Sequence, residues 1–103
     1  PNLNDDDWNW GGSLEDIHAT LRYGIRASHE NTRASEMPAF GKDGILKQDQ
    51  ISQVSNYVLS LSDAKHAATV EGKKLYAEHC AACHGAEGKG DRTLGAPDLT
   101  DAI

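Results

Sequence analysis

Cys80-Ala81-Ala82-Cys83-His84 sets two thiols three residues apart with a histidine directly after the second. That pattern reads as a c-type haem attachment site. Residues three apart on one helical turn share a face, so both sulfurs reach the two vinyl groups of a single porphyrin. His84 is then carried under the iron as a proximal ligand. Two plainer readings compete. A bare C-x-x-C is also a dithiol redox pair, but that motif sits on strand-helix alternation, which this sequence lacks. A zinc site needs two further ligands at short spacing; there is no second cysteine pair, and His79, beside Cys80, is a poor geometric partner for His84. One covalent haem c with its iron is the leading reading, ahead of zinc and dithiol chemistry.

The segments around the motif suit that reading. Asn31 to Lys47 contains Pro38, Gly41 and Gly44, and Gly85 to Thr100 contains Gly88, Gly90, Gly95 and Pro97. Loops of this length in so small a chain usually wrap something, and a haem is what they would wrap. Met37, the only methionine, lies in the first of them, within Ser35-Glu36-Met37-Pro38-Ala39-Phe40-Gly41. A thioether is a soft ligand suited to haem iron, and His/Met ligation raises the reduction potential relative to two nitrogen ligands. A lone methionine is usually core filler. Its place in a proline-bearing loop, in a chain that needs a sixth iron ligand, makes Met37 the candidate distal ligand. His18, His29, His66 and His79 compete, His29 foremost because it lies in the same loop region.

Three amphipathic helix patterns and no convincing strand predict an all-α chain. Ser13-Leu14-Glu15-Asp16 resembles a capping box, and Ile17, Leu21 and Ile25 follow every fourth residue, predicting a helix over about 14–26. Ile51, Val54, Val58 and Leu61, with Tyr57 beside them, predict a helix near 48–61. A third runs from about 68 to 82 through Val70, Leu75, Tyr76 and the haem cysteines. Gly72 inside it costs about 1 kcal/mol relative to Ala, for which close helix-helix approach is a reason.

Composition allows one modest core: 103 residues, 38% hydrophobic. A buried macrocycle would supply missing apolar volume. Both cysteines are consumed by the motif, so no disulfide framework is expected. The net charge of -6 argues against nucleic acid as a partner. It suits docking on a basic redox partner, and equally plain solubility. No stretch approaches eighteen apolar residues and no signal peptide precedes Pro1, so a mature chain or a fragment of a longer one is expected, without a membrane span. Covalent haem attachment implies assembly outside the bacterial cytoplasm.

Pro1-Asn2-Leu3-Asn4-Asp5 recurs as Pro97-Asp98-Leu99-Thr100-Asp101, a tandem repeat glimpsed at its two ends with a period of about one small haem domain. Together with Trp8-Asn9-Trp10-Gly11-Gly12, Gly24-Ile25-Arg26, Thr32-Arg33, the Met37 loop, Tyr57-Val58-Leu59-Ser60-Leu61 and the Cys80 motif, these segments closely resemble the di-haem subunit III of cbb3-type cytochrome c oxidase. In that family two class I cytochrome c domains lie in tandem behind a membrane anchor, in the periplasm, and pass electrons toward the catalytic subunit. Each domain runs in the order attachment motif, Pro-x-Leu loop, Trp turn, methionine loop, closing helix.

This chain departs from that order, since Met37 and the closing helix precede Cys80. The resemblance therefore implies a class I cytochrome c fold in circularly permuted order. Residues 1–61 resemble the back half of a first haem domain, 62–69 a linker, and 70–103 the front half of a second, as in an excised or permuted piece. Eight or so linker residues reach up to about 27 Å, so closure within one chain is sterically reasonable and a monomer is favoured; a domain-swapped dimer is the alternative. The resemblance also assigns Pro97 as the carbonyl that receives the proximal histidine N–H, and Leu99 as the leucine packed on the haem face. Trp10 and Arg33 become residues near the propionates, and Gly72, Tyr57 and Tyr76 a helix-crossing set. The implied function is one-electron transfer at a low-spin haem, without catalysis by the chain itself, with the oxidase catalytic subunits and another cytochrome c as partners. The alternative is a five-coordinate haem protein binding a small gas or peroxide.

Overall fold

The computed structural model describes residues 2–101. Pro1, which opens the first copy of the repeat, and Ala102 and Ile103, which close the 70–103 half, lie outside the described residues. Regular structure is helical, as expected: α1 (Leu14–Tyr23), α2 (Gln48–Ser62), α3 (Val70–His79) and α4 (Ala81–His84). Among the described residues, β-type pairing is confined to two isolated bridges, Ile25 with Arg33 and Asp91 with Ala96.

At the start of α1, the Ser13 hydroxyl accepts the Asp16 N–H at 3.1 Å and donates to the Asp16 carboxylate at 2.8 Å. The acid thus takes the hydroxyl of the cap residue, where a capping-box acid would take its backbone N–H. The helix ends three residues earlier than its apolar spacing predicts. Gly24 turns into the left-handed region at φ 76° while its N–H closes on the Thr20 carbonyl, a conformation that suits glycine. Ile25 then leaves to pair with Arg33. Leu21, read as part of a core face, is 82% exposed; periodicity marks a stripe but not whether anything covers it.

The core lies between α2 and α3. Leu46, Val54, Leu75 and Tyr76 are buried, with Phe40, Ile51, Tyr57, Val58, Leu61 and Leu99 packed around them. Burying an aliphatic side chain of this size contributes about 1.5–3 kcal/mol. The helices cross where α3 has no side chain: a Cβ on Gly72 would overlap the backbone carbonyl oxygen of Gln53. Close approach is therefore why the glycine is there. The Tyr57 and Tyr76 rings meet 5.1 Å apart beside the crossing. Leu46, assigned to a loop by its neighbours, enters the core because a tight turn returns its N–H to the Phe40 carbonyl at 3.0 Å.

The Thr69 hydroxyl accepts the Gly72 N–H at 3.0 Å and fixes the start of α3. Val70 is therefore a first-turn residue and is 88% exposed, contrary to its place in the apolar pattern. The single helix predicted over 68–82 is two: the backbone departs from helical geometry at Cys80, φ −118°, and α4 restarts from its carbonyl, which accepts the His84 N–H at 2.9 Å. Residues 63–69 join α2 to α3, and these two helices pack on each other within one chain. Among the described residues no helix is long and apolar enough to cross a membrane.

Candidate functional site

A cleft of about 900 Å³ opens beside the α2–α3 core. Cys80, Cys83 and His84 stand on one wall, Met37 on the loop before α2, and Phe40, Ile51, Val54, Val58 and Leu99 give the interior its apolar character. Residues from both ends of the sequence therefore close on one space, as the motif and methionine-loop readings require. A smaller cavity of about 360 Å³ lies between residues 6–9 and 89–101. It has neither thiol nor imidazole in its walls, so the attachment chemistry belongs to the larger cleft.

His84 is 8% exposed, and its Nδ1 lies 3.0 Å from the Pro97 carbonyl oxygen. A carbonyl only accepts, so Nδ1 carries the proton and Nε2 is left with its lone pair free. A histidine oriented in this way by a backbone carbonyl is the usual arrangement for a metal ligand. The loop that delivers this carbonyl is tightly built. Asp91 and Ala96 exchange backbone hydrogen bonds at 2.9 and 3.0 Å, and the Gly90 N–H donates to the His84 carbonyl at 2.8 Å. Gly90 is left-handed, φ 83°, and a Cβ there would overlap the Ala96 carbonyl.

Beyond Pro97, the Asp98 carboxylate accepts from the Thr100 N–H and hydroxyl at 2.8 and 2.6 Å, and the Thr100 hydroxyl holds the Asp98 carboxyl below its usual range. Leu99 is thereby fixed with its N–H on the Gly88 carbonyl at 2.7 Å. The first copy of the repeat makes the same turn, Asn4 N–H to Asn2 Oδ1 at 2.9 Å, but its leucine, Leu3, is exposed.

Trp10 lines the cleft with its indole laid on Gly95, where any side chain would overlap the ring. Arg33 sits 5.9 Å from the Trp10 ring and spends its donors elsewhere: Nη2 on the Asp16 backbone carbonyl at 3.2 Å and Nε on the Thr20 hydroxyl at 3.4 Å, with the Asp16 carboxylate at 3.6 Å. It is not part of the cleft wall. Arg26 is, a residue that the sequence resemblance includes but gives no role at the site; its signal was a bulky residue directly after Gly24-Ile25, at a turn. Of the competing histidines, His29 stacks on Tyr23 at 4.9 Å and His66 pairs with Asp63 at 3.3 Å. Neither these nor His18 lines the cleft, whereas His79 does, edge-on to Phe40.

Burial pushes the Cys80 thiol up, with Cys83 adding to the effect. Among the described residues no group of three or more His, Cys, Asp or Glu side chains could hold a metal ion, which leaves the zinc reading without ligands. Paired sulfurs, an oriented imidazole and apolar walls on one cleft fit a covalent porphyrin.

Residues 69–103 match the cytochrome c family. Across its whole length the chain is 55% identical to the cbb3-type cytochrome c oxidase subunit CcoP of Cereibacter sphaeroides and 52% identical to the subunit FixP of Bradyrhizobium diazoefficiens. Residues 69–103 belong to the cytochrome c family. The chain's relatives in the cbb3-type oxidases are longer, and it spans 37% of the length of each of these two. A cytochrome c segment of this kind carries covalent haem c with its iron. The Cys80 motif is the attachment motif of that family.

Proposed function

We propose that this cytochrome c is a one-electron transfer module of a cbb3-type oxidase, holding a low-spin haem between His84 and Met37. The observation that carries the reading is that Met37 and His84 line one cleft although they lie on opposite sides of the α2–α3 crossing in sequence. Cys80 and Cys83 would anchor the macrocycle through thioethers, and Leu99 and Trp10 would cover it. The bound haem supplies reversible one-electron exchange at its iron. The chain's own work is to hold it: Pro97 keeps the His84 ring in one orientation and tautomer, α2 and the Phe40 turn exclude water, and the loop around Met37 presents a soft sulfur rather than an open position.

In this reading the fold is a class I cytochrome c domain in permuted order, with 1–61 supplying the methionine side, 62–69 the link and 70–103 the attachment side. Packing of α2 on α3 within one chain supports a monomer, and a swapped dimer is the competing assembly. The partners would be the oxidase catalytic subunits and another cytochrome c, and the compartment the periplasm, with a membrane anchor elsewhere in the full-length subunit. The chain by itself would not be an enzyme.

A second reading rests on one observation, the 68% exposure of Met37. A methionine that leaves the iron would give a five-coordinate haem open to small gases or peroxide. The visible spectrum decides between them. A ferric spectrum with the red charge-transfer band of methionine ligation, and a reduced spectrum indifferent to carbon monoxide, is expected for the electron carrier. Ready uptake of carbon monoxide overturns it in favour of the ligand-binding protein.

A further inference from the structure

We infer that Arg26 is the anion-binding residue of the haem cleft, pairing with a haem propionate and so holding the reduction potential up. The inference rests on the haem reading of the cleft. Three independent features of the chain meet at this residue. First, Arg26 is the one Lys or Arg in the cleft wall among the described residues, and the carboxylate in that wall, Glu36, repels rather than receives a propionate. A covalent haem brings two carboxylates into a cleft that is otherwise apolar, and a charge placed there needs a partner.

Second, Arg26 is held in a conformation that costs energy. Its φ of 51° makes it the single non-glycine residue in the left-handed region among the described residues, a state that strains a bulky side chain. The neighbouring bridge imposes it: the Arg26 N–H donates to the Arg33 carbonyl at 2.7 Å, and the Arg33 N–H to the Gly24 carbonyl at 3.0 Å. Asparagine or glycine would accept this backbone more easily. An arginine here aims its guanidinium at the cleft.

Third, Arg26 Nη1 donates to the Ser35 carbonyl at 3.1 Å, two residues before Met37. A guanidinium carries five donors in a planar fork, so one edge can tie the methionine loop while the other takes a carboxylate. Arg33, whose Nη2 and Nε are committed to Asp16 and Thr20, has no such edge toward the cleft.

A cation beside the haem favours the reduced iron, which carries one less positive charge. The test compares midpoint potentials of haem-loaded Arg26→Asn, Arg26→Gly and Arg26→Lys at low ionic strength, with the methionine charge-transfer band recorded for each. Asn and Gly remove the charge while suiting the left-handed backbone, so both are expected to fold. The expected result is a shift of the redox equilibrium toward ferric by about tenfold in both, or about 59 mV for one electron, with the methionine band retained. Lys, which keeps the charge, should hold most of the potential. An unchanged potential in Asn and Gly overturns the pairing. Loss of the methionine band in all three variants, Lys included, also overturns it and leaves Arg26 as a loop tie alone. Absence of any haem spectrum in the unsubstituted protein would instead be a failure of the haem reading itself.

Discussion

Gly72 of α3 lies directly against the backbone carbonyl of Gln53 in α2, with no room for a Cβ between them. This single contact lets the two ends of the sequence share a core, since α2 follows the loop that holds Met37 and α3 leads into the Cys80 motif. Gly72→Ala gains about 1 kcal/mol of helix propensity but forces the crossing apart, and overpacking of this kind costs about 1–3 kcal/mol. The net expectation is a lower urea midpoint, measured on the haem-loaded protein, and a larger loss for Gly72→Val.

Tyr76 is 1% exposed and donates its hydroxyl to the Gly85 carbonyl at 2.7 Å, which ties the crossing to the turn after His84. Tyr76→Phe keeps the ring and removes the donor, leaving a carbonyl without its partner at a cost of about 1–3 kcal/mol. The expected outcome is a fall in thermal midpoint with little change in the visible spectrum, because the His84 to Pro97 contact does not pass through the hydroxyl.

Met37→Ala should abolish the red charge-transfer band, admit carbon monoxide to the reduced protein and lower the potential, as loss of a thioether ligand requires. Stability should change little, since Met37 is mostly exposed and outside the core. Unchanged coordination and potential would show that another group holds the iron.

Asp7 and Asp98 are expected to respond to pH in opposite senses. Partial desolvation, and then Asp5, Asp101, Asp6 and Asp98, raise the Asp7 carboxyl above its ordinary 3.8. A raised carboxyl favours its protonated form in the fold, so the ionised group is a destabilising feature at neutral pH that is relieved as pH falls through the carboxylate range. Asp7→Asn should raise the thermal midpoint at pH 7 and low salt, with the gain shrinking in high salt and on acidification. Asp98 is held below 3.8 by Thr100, so its contribution is present above the ordinary value and is lost as pH falls through the lowered one. Asp98→Ala should loosen the Pro97–Asp101 turn at neutral pH and flatten the acid end of the stability profile.

Much of this was legible without coordinates because it depends on local spacing. The attachment motif, the three helical stretches, the reason for Gly72 and the pairing of His84 with Pro97 each follow from residue type and order, the last through a family resemblance. The errors have a common cause. Leu21 and Val70 satisfy a helical period yet face away from the core, because a period defines a stripe and only a neighbouring element decides whether it is covered. Leu46 enters the core from a segment with no period at all. The helix break at Cys80 and the early stop at Gly24 are single backbone angles.

The sequence by itself therefore determined the cofactor and the helical class, since covalent attachment needs particular atoms at particular separations along one chain. Which arginine lines the cleft, and that residues 10–59 and 79–99 supply its walls, were decided only by tertiary structure. Arg26 and Arg33 are alike in type and seven positions apart. A bridge that turns one toward the cleft and commits the other to Asp16 is a non-local outcome of packing.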